Sequence, residues 1–143
     1  MFQPTVRFIA ILCALLLALA PHSAAAAPVG LRLMMIEQTW CEWCDRWNAE
    51  IAGVYPITDE GRAAPLVRHD IHTPLPAGVA LERPARYTPT FVLLCGGQEV
   101  GRIEGYPGED FFWGLLGRML DDIEKAQGTT SDAGPSQKCD VQS

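Results

Sequence analysis

Hydrophobic and polar positions along the chain fall into blocks of different period. Phe8 to Ala20 is an unbroken apolar run with no amphipathic period. Leu31-Arg32-Leu33-Met34-Met35-Ile36 is shorter, poor in turn residues, and reads as a buried strand ending just before Gln38-Thr39-Trp40. The period then changes: Cys44, Trp47, Asn48 and Ile51 recur at helical spacing, with Gly53 and Pro56 closing the segment. Thr58-Asp59-Glu60 can cap a short helical turn through Ala64, and Leu66 to Ile71 gives a second strand. Prolines and glycines break residues 72–87 into an irregular connection, with one helical turn expected around Val79 to Glu82. Phe91 to Leu94 predicts a third strand, Gly96-Gly97 a hairpin turn and Glu99 to Ile103 a fourth strand. Phe112, Leu115, Leu116, Met119, Leu120 and Ile123 form an apolar stripe at helical period. Glu109 and Asp110 stand at its favourable N-terminal end, and Gly128 lies beyond its far end. Gln127 to Ser143 is small and polar and reads as a loose tail.

The first block changes where the protein is expected to act. Arg7 supplies a positive start, the apolar run follows, and Ser23 to Ala27 offers small residues for cleavage, the pattern of an export signal. The run is too short for a permanent membrane span. Cleavage after Ala26 avoids placing Pro28 next to the cut, so residues 1–26 are expected to leave, carrying Cys13 and Arg7 with them. One compact domain, residues 27–126, and the tail 127–143 remain. Their net charge is one unit more negative than the −6 of the whole chain. An acidic surface with few lysines argues against nucleic acid and against anionic membranes as partners. Four cysteines are left in what is expected to be a disulfide-permissive space, with the periplasm the expected compartment.

Cys41-Glu42-Trp43-Cys44 carries the chemistry. Two thiols separated by two residues, preceded by Trp40 and followed by a helical pattern, suit a redox couple. The unpaired N–H groups at a helix start favour the thiolate, which is the attacking species in disulfide exchange. The competing reading, half of a zinc site, needs a second ligand pair, and Cys95 and Cys139 are isolated from each other. His69 and His72, three apart on a strand, point to opposite faces, so no metal site is expected. Trp47 reads as core, whereas Trp43, between the cysteines, reads as part of a docking face. Thr88-Pro89 before the third strand is a candidate cis bond. Cys95 and Cys139 are either two spare thiols or a second, structural disulfide that would pin the tail.

Taken in order, the Trp-Cys-x-x-Cys site, the Thr-Pro turn before a hairpin, Gly105 and the closing amphipathic helix resemble the thioredoxin superfamily. Thr58-Asp59-Glu60-Gly61-Arg62 through Asp70-Ile71-His72, and Gly101 to Trp113, look like the small periplasmic thioredoxins of the sulfur-oxidation system, the SoxS-like group. The resemblance implies an α/β fold with a central mixed sheet flanked by helices and a thiol-disulfide oxidoreductase needing no organic cofactor. It also implies a protein-disulfide substrate, such as a sulfur-oxidation carrier, and a membrane electron-delivery protein as reductant. Cys41 would attack and Cys44 resolve. Thr88 and Pro89 would face the pair, and Trp40, Trp43, Gly105 and Tyr106 would form the substrate-binding rim.

One position departs from that pattern. Where thioredoxins place a buried carboxylate, six residues before the first cysteine, this chain has Met35. Glu37 is the nearest carboxylate, on the same side of the strand, and its ordinary reading is a solvated charge at a strand end. Glu42 should oppose thiolate formation at Cys41 and so favour a more reducing couple. Two other functions stay open on the sequence: a disulfide oxidase or isomerase, and a binding module in which a Cys41–Cys44 bridge is only a staple.

Overall fold

A computed structural model describes residues 30–128 and Cys139. The expected signal segment and all of the tail after Gly128 except Cys139 lie outside the described residues. Four strands, β1 (Leu31–Glu37), β2 (Leu66–Asp70), β3 (Thr90–Cys95) and β4 (Gln98–Glu104), form one sheet in the order β2-β1-β3-β4. β1 runs parallel to β2 and antiparallel to β3, and β3 and β4 form an antiparallel hairpin. The hairpin turns on Gly96 (φ +55°) and Gly97 (φ +84°), two consecutive left-handed positions that match the twist of the strands.

Burial on both faces explains why β1 and β3 read as continuous apolar runs rather than alternating ones. Leu31, Leu33 and Met35 of β1 and Phe91 and Leu93 of β3 point to one side, where all the helices pack. These helices are α1 (Glu42–Trp47), continued as a π-helical segment (Asn48–Ala52), then α2 (Asp59–Ala63) and α3 (Glu109–Gly128). Trp47 is the hub of that side: its ring centroid lies 5.4 Å from Phe91 and 5.8 Å from Phe112, with Tyr55 at 6.2 Å. Met34, Ile36, Val92 and Leu94 point to the other side, which is covered by Val79, Leu81 and Ala85 of the long connection rather than by a helix.

That connection differs from its sequence expectation. Instead of a helical turn at Val79 to Glu82, Ala80 bridges to Gln98 at the edge of β4. The Ala80 N–H donates to the Gly97 carbonyl at 2.9 Å, and the Glu99 N–H donates to the Ala80 carbonyl at 3.1 Å. The open edge of β4 offers these partners, and a local helical turn would leave them unused. Charge reinforces the seam. Arg102 donates to both Glu99 carboxylate oxygens (2.7 and 2.8 Å) and to the Arg83 carbonyl (2.6 Å). Arg83 in turn reaches Glu104 at 3.0 Å. The Arg102 and Glu99 side chains are only 5% and 3% exposed, so this is a buried pair and not surface decoration.

Two further features fasten elements away from the Ile36–Thr90 end of the sheet. Gly61 in α2 has no room for a side chain, since a Cβ would fall 1.8 Å from the Tyr55 carbonyl oxygen. The close approach lets Thr58 cap α2, accepting from the Gly61 N–H at 3.0 Å while donating to Tyr55 O at 2.8 Å. At the far end of the sheet, Cys139 is buried in the core and joined to Cys95, with the Cα atoms 5.6 Å apart. In the chain-entropy picture, closing a loop across a sequence separation of 44 stabilises by about 3–4 kcal/mol.

Two measurements follow from this packing. Burial alone would raise the Glu99 pKa, but the Arg102 hydrogen bonds, the Glu82 N–H and the nearby positive charges outweigh it and hold the carboxyl below its ordinary value. Its stabilising contribution is therefore complete above the ordinary carboxylate range and is lost as pH falls through the lowered folded value. Arg102→Met is expected to lower the unfolding free energy at neutral pH by about 1.5–3 kcal/mol. It should also flatten the acid-side decline, as read by urea denaturation at a series of pH values. Peptide mapping of the non-reduced, exported protein is expected to recover Cys95 and Cys139 in one linked pair; free thiols at both would remove the staple.

Candidate functional site

The site is built where β1 leaves the sheet. After Glu37 the chain turns through Gln38-Thr39-Trp40, and Trp40 adopts φ +63°, a left-handed conformation that is uncommon for a bulky residue. Cys41 follows as the N-cap of α1 with extended dihedrals (φ −94°, ψ 99°), and its Sγ accepts from the Cys44 N–H at 3.1 Å. The sulfur thus occupies the place a serine or aspartate oxygen takes at other helix starts. Cys41 and Cys44 are joined as a disulfide with Cα atoms 5.1 Å apart. In this oxidised state the two are 6% and 2% exposed, so Cys41 is the outer of two largely covered sulfurs.

Sheet register brings a second segment to the same end. Ile36 pairs with Thr90 across β1 and β3, so the residues just before Thr90 emerge where those just after Ile36 do. The Thr88–Pro89 bond at that point is cis. Its loop is fastened on both sides: Thr90 Oγ1 donates to the Tyr87 carbonyl at 2.7 Å, and the Gly105 N–H donates to the Pro89 carbonyl at 2.8 Å. Gly105 takes φ +81°, which a residue with a Cβ adopts only at a cost, and this fixes the turn after β4 beside the turn before β3.

The expected rim residues divide into two kinds. Trp40 is 96% exposed, Trp43 is about half exposed, and Tyr87, which the sequence reading did not single out, is exposed beside the cis bond. Tyr106 is different. It is turned inward, 5% exposed and packed on Phe112, and its hydroxyl donates to Glu50 at 2.5 Å. A large apolar ring near a core phenylalanine gains more from burial than from display, so Tyr106 holds the loop from beneath and offers no side-chain surface to a partner.

Two charged networks flank the cysteines. Glu37 is not a solvated charge at a strand end: Arg68 of β2 grips it in a bidentate pair (2.6 and 2.5 Å) and also donates to Asn48 Oδ1 at 2.8 Å. The bond to Glu37 raises the Arg68 pKa further. The guanidinium carbon of Arg68 lies 6.0 Å from the Trp47 ring centroid. Met35, the residue six before Cys41, is fully buried in the same cluster as both cysteines and brings no ionisable group to them. On the other flank, Glu50 accepts from Tyr106 and, at 2.9 Å, from Arg46. The Tyr106 hydrogen bond first, then the Arg46 one, hold the Glu50 carboxyl below its usual range. Burial first, then the bond to Glu50, push the Tyr106 hydroxyl well above its usual value. Arg46 also lies over the Trp43 ring, 5.7 Å from its centroid. The i,i+4 spacing of Arg46 and Glu50 was legible in the sequence. Nothing local announces Arg68 or Tyr106 as partners.

No protein-family profile matches this chain, and no curated protein sequence does. Among solved structures, the crystal structure of the periplasmic thioredoxin SoxS from Paracoccus pantotrophus in its reduced form is 59% identical, with a TM-score of 0.63. The alignment covers 64% of this chain and 96% of that one. The four-stranded mixed sheet with its helices is accordingly a thioredoxin fold, and the Cys41–Cys44 pair at the head of α1 is its redox couple. The chain belongs to the thioredoxin superfamily, as a SoxS-like thiol-disulfide oxidoreductase.

Proposed function

We propose that the protein is a periplasmic reductase of protein disulfides serving a carrier protein of sulfur oxidation, with Cys41 as attacking and Cys44 as resolving thiol. The observation that carries this reading is the display of Trp40: an aromatic ring 96% exposed, on a left-handed backbone, directly before the N-cap cysteine. Neither the exposure nor the backbone conformation benefits the fold, which is the pattern of a residue kept for contact with a partner. The likeness to a periplasmic thioredoxin SoxS supports the compartment and the thiol-disulfide chemistry.

In the reduced protein the Cys41 thiolate attacks one sulfur of a client disulfide. A mixed disulfide forms and one client thiolate leaves. Cys44 then attacks Cys41 Sγ, which restores the intramolecular bridge and releases the second client thiol, so two electrons pass to the client. The Cys44 N–H, 3.1 Å from Cys41 Sγ in the oxidised state, is placed to donate to the thiolate, while Glu42 and Asp45 in the first turn oppose it. Thr88 and Pro89 present backbone to an incoming client strand, with no proline N–H to compete, and Trp40, Trp43 and Gly105 complete the rim. Turnover needs a dithiol donor, which in an oxidising space points to a membrane electron-delivery protein. Among the described residues no helix is long and apolar enough to cross a membrane.

Four measurements test the reading. In the reduced protein Cys41 is expected to be alkylated first and Cys44 slowly; equal or reversed rates would overturn the assigned roles. A Cys44→Ser variant expressed with its export signal is expected to accumulate a mixed disulfide through Cys41, and mass spectrometry of the trapped species identifies the client. The reduction potential decides direction: a value near or below about −200 mV supports a reductase, and one near about −120 mV an oxidase. A bridge that resists mild reductant altogether would favour a binding module.

A further inference from the structure

The π-helical segment that continues α1 places Glu50 where two elements meet. From one side Tyr106, in the loop after β4, donates to one carboxylate oxygen at 2.5 Å; from the other, Arg46 donates to the second at 2.9 Å. Arg46 then lies 5.7 Å from the centroid of Trp43, the residue between the two cysteines. An isolated Arg–Glu pair at i,i+4 spacing on a helix surface contributes little to stability, because both side chains give up rotamer freedom and water screens the charges. Glu50 is not free in that way. The short bond to a buried phenol fixes its carboxylate, and the fixed carboxylate fixes the guanidinium.

We propose that Glu50 is a positioning residue for client recognition: anchored by Tyr106, it holds Arg46 over the face of Trp43 and so presets the Trp43 ring as one wall of the docking surface. The inference rests on the reading of Trp43 as a docking residue. A preset ring loses less conformational freedom when a client chain closes on it, and the gain is specific to clients large enough to reach it. The cationic edge of Arg46 beside that wall also favours a client segment carrying a carboxylate or an electron-rich face.

The test uses the reduced full-length mature protein, oxidised either by insulin, as a protein disulfide, or by hydroxyethyl disulfide, which is too small to span the surface. The readout is the ratio of the two second-order rate constants, which a general loss of folding or of thiol reactivity does not move. Glu50→Gln keeps an acceptor for Tyr106 but removes the charge that holds Arg46; Arg46→Ala leaves the Tyr106–Glu50 bond in place. Each is expected to lower the insulin-to-small-disulfide ratio about 2–5-fold, the scale of one exposed cation–π contact. Trp43→Ala should lower it at least as far, and Glu50→Gln combined with Trp43→Ala no further than Trp43→Ala alone. If the ratio falls in Trp43→Ala but not in Glu50→Gln or Arg46→Ala, or if the double variant shows the product of the single losses, the positioning role is overturned and the docking role of Trp43 stands. If Trp43→Ala leaves the ratio unchanged, the docking reading fails and the inference with it.

Discussion

The packing of Trp47 is the interaction on which the site depends. It stands three residues after Cys44 on the inward side of α1, fully buried against Phe91 of β3 and Phe112 of α3. A tryptophan among aromatic neighbours at 5–6 Å combines a large buried area with ring-to-ring contacts worth about 0.5–1.5 kcal/mol each. Among the described residues its indole N–H has no hydrogen-bond partner, so the indole itself is seated by its ring contacts. Because Phe91 lies one residue beyond Thr90, the strand that receives Trp47 is also the strand that carries the Thr88–Pro89 turn. One contact therefore sets the distance between the helix with the cysteines and the loop beside them.

Polar groups fix what packing leaves free. The π-helical segment is held on one side by Arg68, which links Asn48 to Glu37 on β1, and on the other by Tyr106, which links Glu50 to the loop after β4. π-Helical turns are rare and concentrate at functional sites. Here the segment begins four residues after Cys44, and both of its polar side chains are tied to the elements that border the cysteines. The Gly105 N–H, bonded to the Pro89 carbonyl, closes the ring of attachments. The cysteines thus sit in a frame, and the exposed aromatic rings of Trp40, Trp43 and Tyr87 stand around it.

Burial on the two faces of the sheet shows how the chain economises on helices. The inner face of β1 and β3 receives α1, its π-helical extension and α3, while the outer face is covered by an irregular connection. A connection without regular structure needs other restraints. Ala80 supplies a bridge to the sheet edge, the buried Arg102–Glu99 pair supplies charge-assisted bonds, and the more exposed Arg83–Glu104 pair extends them. The apolar residues Val79, Leu81 and Ala85 can then remain on Met34, Ile36, Val92 and Leu94.

Local periodicity in the sequence determined the four strands, the helix behind Cys44, the closing helix and the redox pair, because each depends on side chains two to four residues apart. The cap at Thr58 and the Gly96-Gly97 turn were legible for the same reason. The sequence by itself also assigned Trp47 to the core and Trp43 to the surface. Only the tertiary structure decided that Ala80 forms a bridge where a helical turn was expected, since the deciding partners, Gly97 and Glu99, come from the distant β3–β4 hairpin. Only it decided that Tyr106 faces inward and that Glu37 is paired, since Glu50 and Arg68 meet them from 56 and 31 residues away in the chain. The change from α to π helix at Asn48 has no local signature either. Partners that far apart are matched by the register of the sheet and the seating of α1, and neither is written in the spacing of neighbouring residues.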